Sequence, residues 1–150
     1  MQQENPSTSL RFLLVDDERQ FVEVISERLR QRGFGVDCAY SGAEALARLK
    51  GADDIDVVVL DVQLPDGDGL DFLRAIKAQT PLVEVILLTG HGTIDSATEA
   101  LKFGAFDYLT KPCDIQVLEE KIKDACQVKR DREARIVEAN VQLIALRRGD

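Results

Sequence analysis

The sequence is poor in several residues that define common kinds of protein. Its 150 residues include three cysteines, one histidine, four prolines and no tryptophan, and 5% are aromatic. Cys38, Cys113 and Cys126 are odd in number, far apart and without CxxC spacing. That excludes a disulfide framework and points to a reducing compartment, so the chain is expected in the cytoplasm. Basic residues are scarce as well. Nineteen Lys and Arg stand against 27 Asp and Glu, for a net charge of -8. A chain so acidic lacks the basic face that direct nucleic-acid binding needs. No apolar run approaches the ~20 residues of a membrane span, and the polar start MQQENPSTS has no signal-peptide core. Residues 1–9 read as a disordered tail. The 45% hydrophobic content is enough for the core of one domain.

Two periodicities alternate through the rest. LRFLLV, Leu10 to Val15, is a short apolar run, after which Phe21, Val22, Ile25 and Leu29 recur at helical spacing up to Gly33. Gly35 to Ala39 reads as a short strand. SGAE, beginning at Ser41, has the pattern of a capping box and opens a helix to about Lys50. DVVVL (Asp56 to Leu60) and VEVILL (Val83 to Leu88) are apolar without alternation, as strands covered on both faces are. Helices are expected over Leu70 to Ala78 and Ile94 to Phe103, AFDYLT is a further strand, and Asp114 opens a long final helix. Five such alternations predict an α/β fold, a parallel sheet with helices on both faces. Ligands of open sheets of this kind bind beyond the C-terminal strand ends.

Those ends are polar. The first strand runs into Asp16 and Asp17, the third into Asp61 and the fourth into Thr89, and Lys111 follows the fifth. Each alone has an ordinary explanation as a cap, a turn residue or a solvated charge. Together on one rim they suit a joint chemistry. Close carboxylates repel, and a hard divalent cation such as Mg2+ relieves the repulsion while sharing its sphere with a phosphoryl oxygen. A carboxylate in such a site can act as nucleophile toward phosphorus, with an ammonium and a hydroxyl meeting the charge on the phosphoryl oxygens.

In order and spacing, VDDE, DVVVLDVQLPDGDG, LTG and YLTKP resemble the receiver domain of two-component response regulators, over about Leu10 to Val128. The resemblance implies a flavodoxin-like, doubly wound sheet of five parallel strands in the order 2-1-3-4-5, here with an extended C-terminal helix. It implies that Asp61 accepts a phosphoryl group from the phosphohistidine of a sensor histidine kinase. Asp16, Asp17, Asp61 and the Gln63 backbone carbonyl would hold Mg2+, and Thr89 and Lys111 would contact the phosphoryl oxygens. Thr89 and Tyr108 would switch a surface made of the fourth helix, fifth strand and fifth helix. Gln63 and His91 would tune dephosphorylation, a plain solvent-facing loop residue being the alternative for His91. The Lys111–Pro112 bond would be cis, and Leu64 stands where many members have Met. Such a domain catalyses only its own phosphorylation and dephosphorylation and is not otherwise an enzyme. The GHGT run after Leu88-Thr89 is similar to the nitrogen-regulation (NtrC-like) class of transcriptional activators.

The final helix is longer than a receiver needs. Leu118, Ile122 and Ala125 should pack on the sheet, Lys129 and Arg132 make a charged break, and Ile136, Ala139, Leu143 and Leu146 resume a heptad seam. This divides the chain into a tail (1–9), a receiver (10–128) and a helical linker or coiled-coil dimerisation segment (129–150). A homodimer could form through that helix or through the switch surface. An ATPase or DNA-binding output domain is expected if the chain is a piece of a longer protein, and a stand-alone signalling relay otherwise. A Mg2+-dependent phosphohydrolase is disfavoured, because Gln63 occupies the place of its second catalytic Asp. A binding module without phosphorylation predicts lost pocket residues, and all five are present.

Overall fold

Buried backbone groups need partners, and apolar segments without polar faces find them by pairing inside a covered sheet. The computed structural model of the chain describes residues 9–51, 53–90 and 94–148. Along them run β1 (Arg11–Val15), α1 (Arg19–Gln31), β2 (Gly35–Ala39), α2 (Gly42–Leu49), β3 (Val57–Leu60), β4 (Gln63–Leu64) and β5 (Gly67–Asp68). Then follow α3 (Gly69–Gln79), β6 (Glu84–Thr89), α4 (Ile94–Lys102), β7 (Asp107–Thr110) and α5 (Ile115–Arg147). The main sheet has the order β2-β1-β3-β6-β7 with every pairing parallel. That is the flavodoxin-like order 2-1-3-4-5 once β4 and β5 are left out of the count. These two form a separate antiparallel ribbon, which the sequence reading did not foresee.

Successive residues of each inner strand feed opposite cores. Leu13, Val15, Val58, Leu60, Val85 and Leu87 join Leu49, Leu73, Ile76 and Ala100 from α2, α3 and α4. Phe12, Leu14, Val57, Val59, Ile86 and Leu88 join Val22 and Leu29 of α1 and Leu118, Ile122 and Ala125 of α5. Burying each large aliphatic side chain contributes about 2 kcal/mol, which is why the strands show no polar alternation.

Local chemistry sets the helix ends. The Ser41 hydroxyl accepts from Glu44 N, while the Glu44 carboxylate accepts from Tyr40 N, one residue earlier than in the usual box. Asp68 and Asp114 cap α3 and α5 by accepting from Leu70 N and Gln116 N. Gly33 follows α1 with φ +97°, a left-handed backbone that lets the chain turn into β2.

Helix α5 runs unbroken for 33 residues, about 50 Å at 1.5 Å per residue. The expected break at Lys129 and Arg132 is not solvated charge. Lys129 is buried and its ammonium donates to Asp56 (3.1 Å) and pairs with Glu133 (3.0 Å). Arg130 reaches the same Asp56 (3.0 Å), and Arg132 donates to the buried Glu84 (2.5 Å). Asp56 and Glu84 sit at the starts of β3 and β6. Both read as strand residues in the sequence; Asp56 instead precedes β3 and turns its carboxylate to α5. Beyond this clamp Ile136, Ala139, Leu143 and Leu146 are exposed, and so are Val137, Val141 and Ile144, a second apolar row beside the first. Of the expected tail, residues 1–8 lie outside the described residues, and the Ser9 carbonyl accepts from Arg130. Among the described residues no helix is long and apolar enough to cross a membrane.

Candidate functional site

Sheet register brings the polar strand ends together. Val15 lies beside Leu60, and Asp61 N donates to Val15 O (3.0 Å), so Asp16 and Asp61 emerge side by side. Leu60 lies beside Leu87, which carries Thr89 out at the same rim. Thr89 in turn pairs with Thr110, and Lys111 N donates to Thr89 O (2.7 Å), returning the lysine side chain across the strand ends.

Carboxylate oxygens of Asp16, Asp17 and Asp61 all lie within 4.8 Å of one another. Asp16 and Asp61 are buried, with 2% and 7% exposure, and Asp17 is open to solvent. The Lys111 ammonium sits among them, 2.6 Å from Asp16, 2.9 Å from Glu18 and 3.5 Å from Asp61. It also lies 4.3 Å above the centre of the Phe21 ring. An open cleft of about 460 Å³ faces solvent here, lined by Asp17, Asp61, Gln63, Pro65, Gly90 and Lys111 among others.

Burial, and then the neighbouring charge of Asp16, push the Asp61 carboxyl above the ordinary range; the bond from Gln63 N and the charge of Lys111 offset only part of this. Burial works against the Lys111 ammonium too, but its bonds to Asp16 and Glu18 outweigh it and hold its pKa above the ordinary lysine value. The site is therefore short of positive charge even with Lys111 in place. Its donor set of carboxylate oxygens beside an exposed backbone turn fits a hard cation of the Mg2+ type.

The ribbon after Asp61 supplies that turn. Gln63 N donates to Asp61 Oδ1 (3.2 Å), and Gln63 pairs with Asp68 across the ribbon. Gly69 closes it, since a Cβ there would lie 2.5 Å from the Asp61 carbonyl oxygen. Asp16, Asp17, Asp61, Gln63 and Lys111 thus share one cleft, with Thr89 buried at its edge. The Lys111–Pro112 peptide is cis. Tyr108 stands apart, half-buried between β7 and α4, its hydroxyl 2.8 Å from Ser96 Oγ. His91 lies outside the described residues. Ile136, Ala139, Leu143 and Leu146 are on the far part of α5.

Three contacts were missed in the sequence. Glu18 was in plain view as the last letter of VDDE, and its contact with Lys111 follows from the turn into α1. Phe21 had been assigned only to the helix face. Asp66, in the ribbon turn, accepts from Gly42 N and Ala43 N of α2, a contact 24 and 23 residues away along the chain.

Comparison with known proteins identifies the family. A family model described as "Response regulator receiver domain" matches residues 12–123. The transcriptional regulatory protein ZraR of Salmonella typhimurium is 36% identical over 128 residues, which are 85% of this chain and 29% of that protein. The chain thus spans under a third of that relative's length. Among solved structures, the beryllofluoride-activated NtrC4 receiver domain dimer matches with TM-score 0.75 and 39% identity, covering 79% of this chain and 98% of its own. A CheY-like receiver domain protein from Methanospirillum hungatei matches with TM-score 0.78 and 26% identity, over 83% of this chain and 99% of its own.

Proposed function

Because the chain belongs to the response regulator receiver domain family, we propose that it accepts a phosphoryl group on Asp61 from the phosphohistidine of a sensor histidine kinase. The observation that carries this reading is the meeting of three strand-end carboxylates with one ammonium, in which Asp61 lies 3.5 Å from Lys111. An Asp61 oxygen attacks phosphorus, the P–N bond breaks, and its electron pair returns to the imidazole nitrogen, leaving an aspartyl phosphate. Asp16, Asp17, Asp61 and the Gln63 carbonyl would hold Mg2+, which when bound relieves carboxylate repulsion and neutralises charge on the phosphoryl oxygens. Lys111 would meet one phosphoryl oxygen, and Thr89 would supply a hydroxyl to another. Gln63 and His91 tune the later attack of water.

The new charge draws Thr89 and Lys111 inward, and Tyr108 follows into the space released. Its bond to Ser96 makes α4 the element that must respond, so the α4–β7–α5 surface changes between two states. The receiver unit comprises residues 10–128, and 129–150 link it to an output domain, as the greater length of ZraR suggests. The exposed apolar rows of α5 suit a homodimer. The protein works in the cytoplasm and turns over no external substrate. Incubation with acetyl phosphate followed by intact mass measurement tests the reading. A gain of one phosphoryl group, lost with chelator and in Asp61→Asn, is expected; no gain under any condition leaves a binding module of receiver shape.

A further inference from the structure

Among the oxygen donors of the cleft, Gln63 offers a backbone group, and it sits on the short β4–β5 ribbon. The ribbon arms are two residues each, and Pro65, Asp66, Gly67 and Asp68 are all exposed. A ribbon that short does not hold its own shape in water. Its base is tied by Gly69 N donating to Val62 O (2.5 Å). Leu64 anchors one arm in the core, and the exposed tip beyond it is tied to α2 by Asp66. Asp66 Oδ1 accepts from Gly42 N and Oδ2 from Ala43 N, both at 2.9 Å.

The anchor at the other end is firm. Ser41 and Glu44 close the start of α2, and the Phe72 ring packs so tightly on Gly42 that a Cβ there would lie 2.2 Å from it. The two first-turn N–H groups are helix donors that need outside acceptors, and a carboxylate is the strongest acceptor available to them. In keeping with this, those two bonds hold the Asp66 carboxyl below the ordinary aspartate range.

From this arrangement we infer that Asp66 is a positioning residue for the metal site: by clamping the ribbon tip to α2 it holds the Gln63 carbonyl where the cation needs it. The inference rests on the phosphoacceptor reading above and adds a residue to it. An outer contact that orients a ligand is worth about tenfold in metal affinity. By reciprocity, a cation held at the Gln63 carbonyl must also strengthen the clamp at Gly42 and Ala43.

The test is calorimetric titration of Mg2+ into the full chain as wild type, Asp66→Ala and Asp66→Asn, each checked for its fold by circular dichroism in chelator. The alanine variant should bind about tenfold more weakly. The asparagine variant keeps one oxygen acceptor without the charge and should lose about threefold or less. Equal loss in both variants would assign the effect to the missing charge and overturn the inference, as would alanine binding like wild type. Wild type that takes up no Mg2+ would instead sink the phosphoacceptor reading itself. A second measurement needs no variant. Mg2+ should slow amide exchange at Gly42 and Ala43 in the wild type, and unchanged exchange there alongside measurable binding would contradict the clamp.

Discussion

Replacing Asp61 by Asn should make the metal-free protein more stable, although it removes the residue on which the proposed chemistry depends. Carboxylate oxygens of Asp16 and Asp17 both lie within 4.8 Å of Asp61. At an effective dielectric of 20, each pair at that separation repels by about 3.5 kcal/mol, and an ammonium 3.5 Å away attracts by about 4.7 kcal/mol. Two repulsions outweigh the one attraction, so Coulomb terms already disfavour the Asp61 charge. Asp61 is also only 7% exposed, and taking a carboxylate out of water costs several kcal/mol. Desolvation thus adds to the repulsion, in agreement with the raised pKa. An asparagine keeps the acceptor for Gln63 N and leaves Lys111 its two shorter bonds to Asp16 and Glu18. The net gain should be about 1 kcal/mol, or about 3 °C in melting temperature for a chain of this size.

The pH dependence carries a definite sign. A carboxyl whose folded pKa lies above its unfolded value of 3.8 destabilises the fold as pH rises through the folded value. The advantage of Asp61→Asn should be full at pH 7 and vanish on acidification below the unfolded pKa. Mg2+ should work in the opposite direction, since at ten times its Kd it stabilises the protein that binds it by about 1.4 kcal/mol. With no tryptophan in the chain, urea unfolding is best followed by far-ultraviolet circular dichroism. A variant less stable than wild type at pH 7 in chelator would show that Lys111 more than offsets the burial of Asp61, and the electrostatic reasoning would fail.

Asp56→Ala should lower the unfolding free energy by about 3 kcal/mol, since it leaves the buried Lys129 and its neighbour Arg130 without their shared partner. An unchanged urea midpoint would mean that both cations reach water. Leu143→Asp should shift sedimentation toward monomer while leaving Mg2+ affinity unaltered, and an oligomeric state identical to wild type would remove the α5 seam from the dimer proposal.

Legibility of the fold followed the length of each signal. β3 and β6 were readable because a run of β-branched and aliphatic residues without alternation belongs to a doubly covered strand. The rim followed from topology, since parallel strands expose their C-terminal ends together and the residues there were Asp16, Asp17, Asp61, Thr89 and Lys111. The β4–β5 ribbon escaped notice because two-residue arms carry no period. Lys129 and Arg132 were legible only as a charged break in the apolar seam, because nothing near them in the sequence names a buried partner. Their partners Asp56 and Glu84 lie 73 and 48 residues away and meet them only in the folded chain. Asp66 was hidden in the same way, since DG suggests a turn and says nothing of what its carboxylate caps.

The most direct test of the central claim is to locate the modified residue. The chain would be incubated with acetyl phosphate and Mg2+, and the product reduced with borohydride, which converts an aspartyl phosphate to homoserine. Peptide mass sequencing then reads the position. Homoserine at residue 61, absent when Mg2+ is chelated, is the predicted result. Homoserine at Asp16 or Asp17, or at no residue of the cleft, would contradict the assignment of Asp61 as the phosphoacceptor.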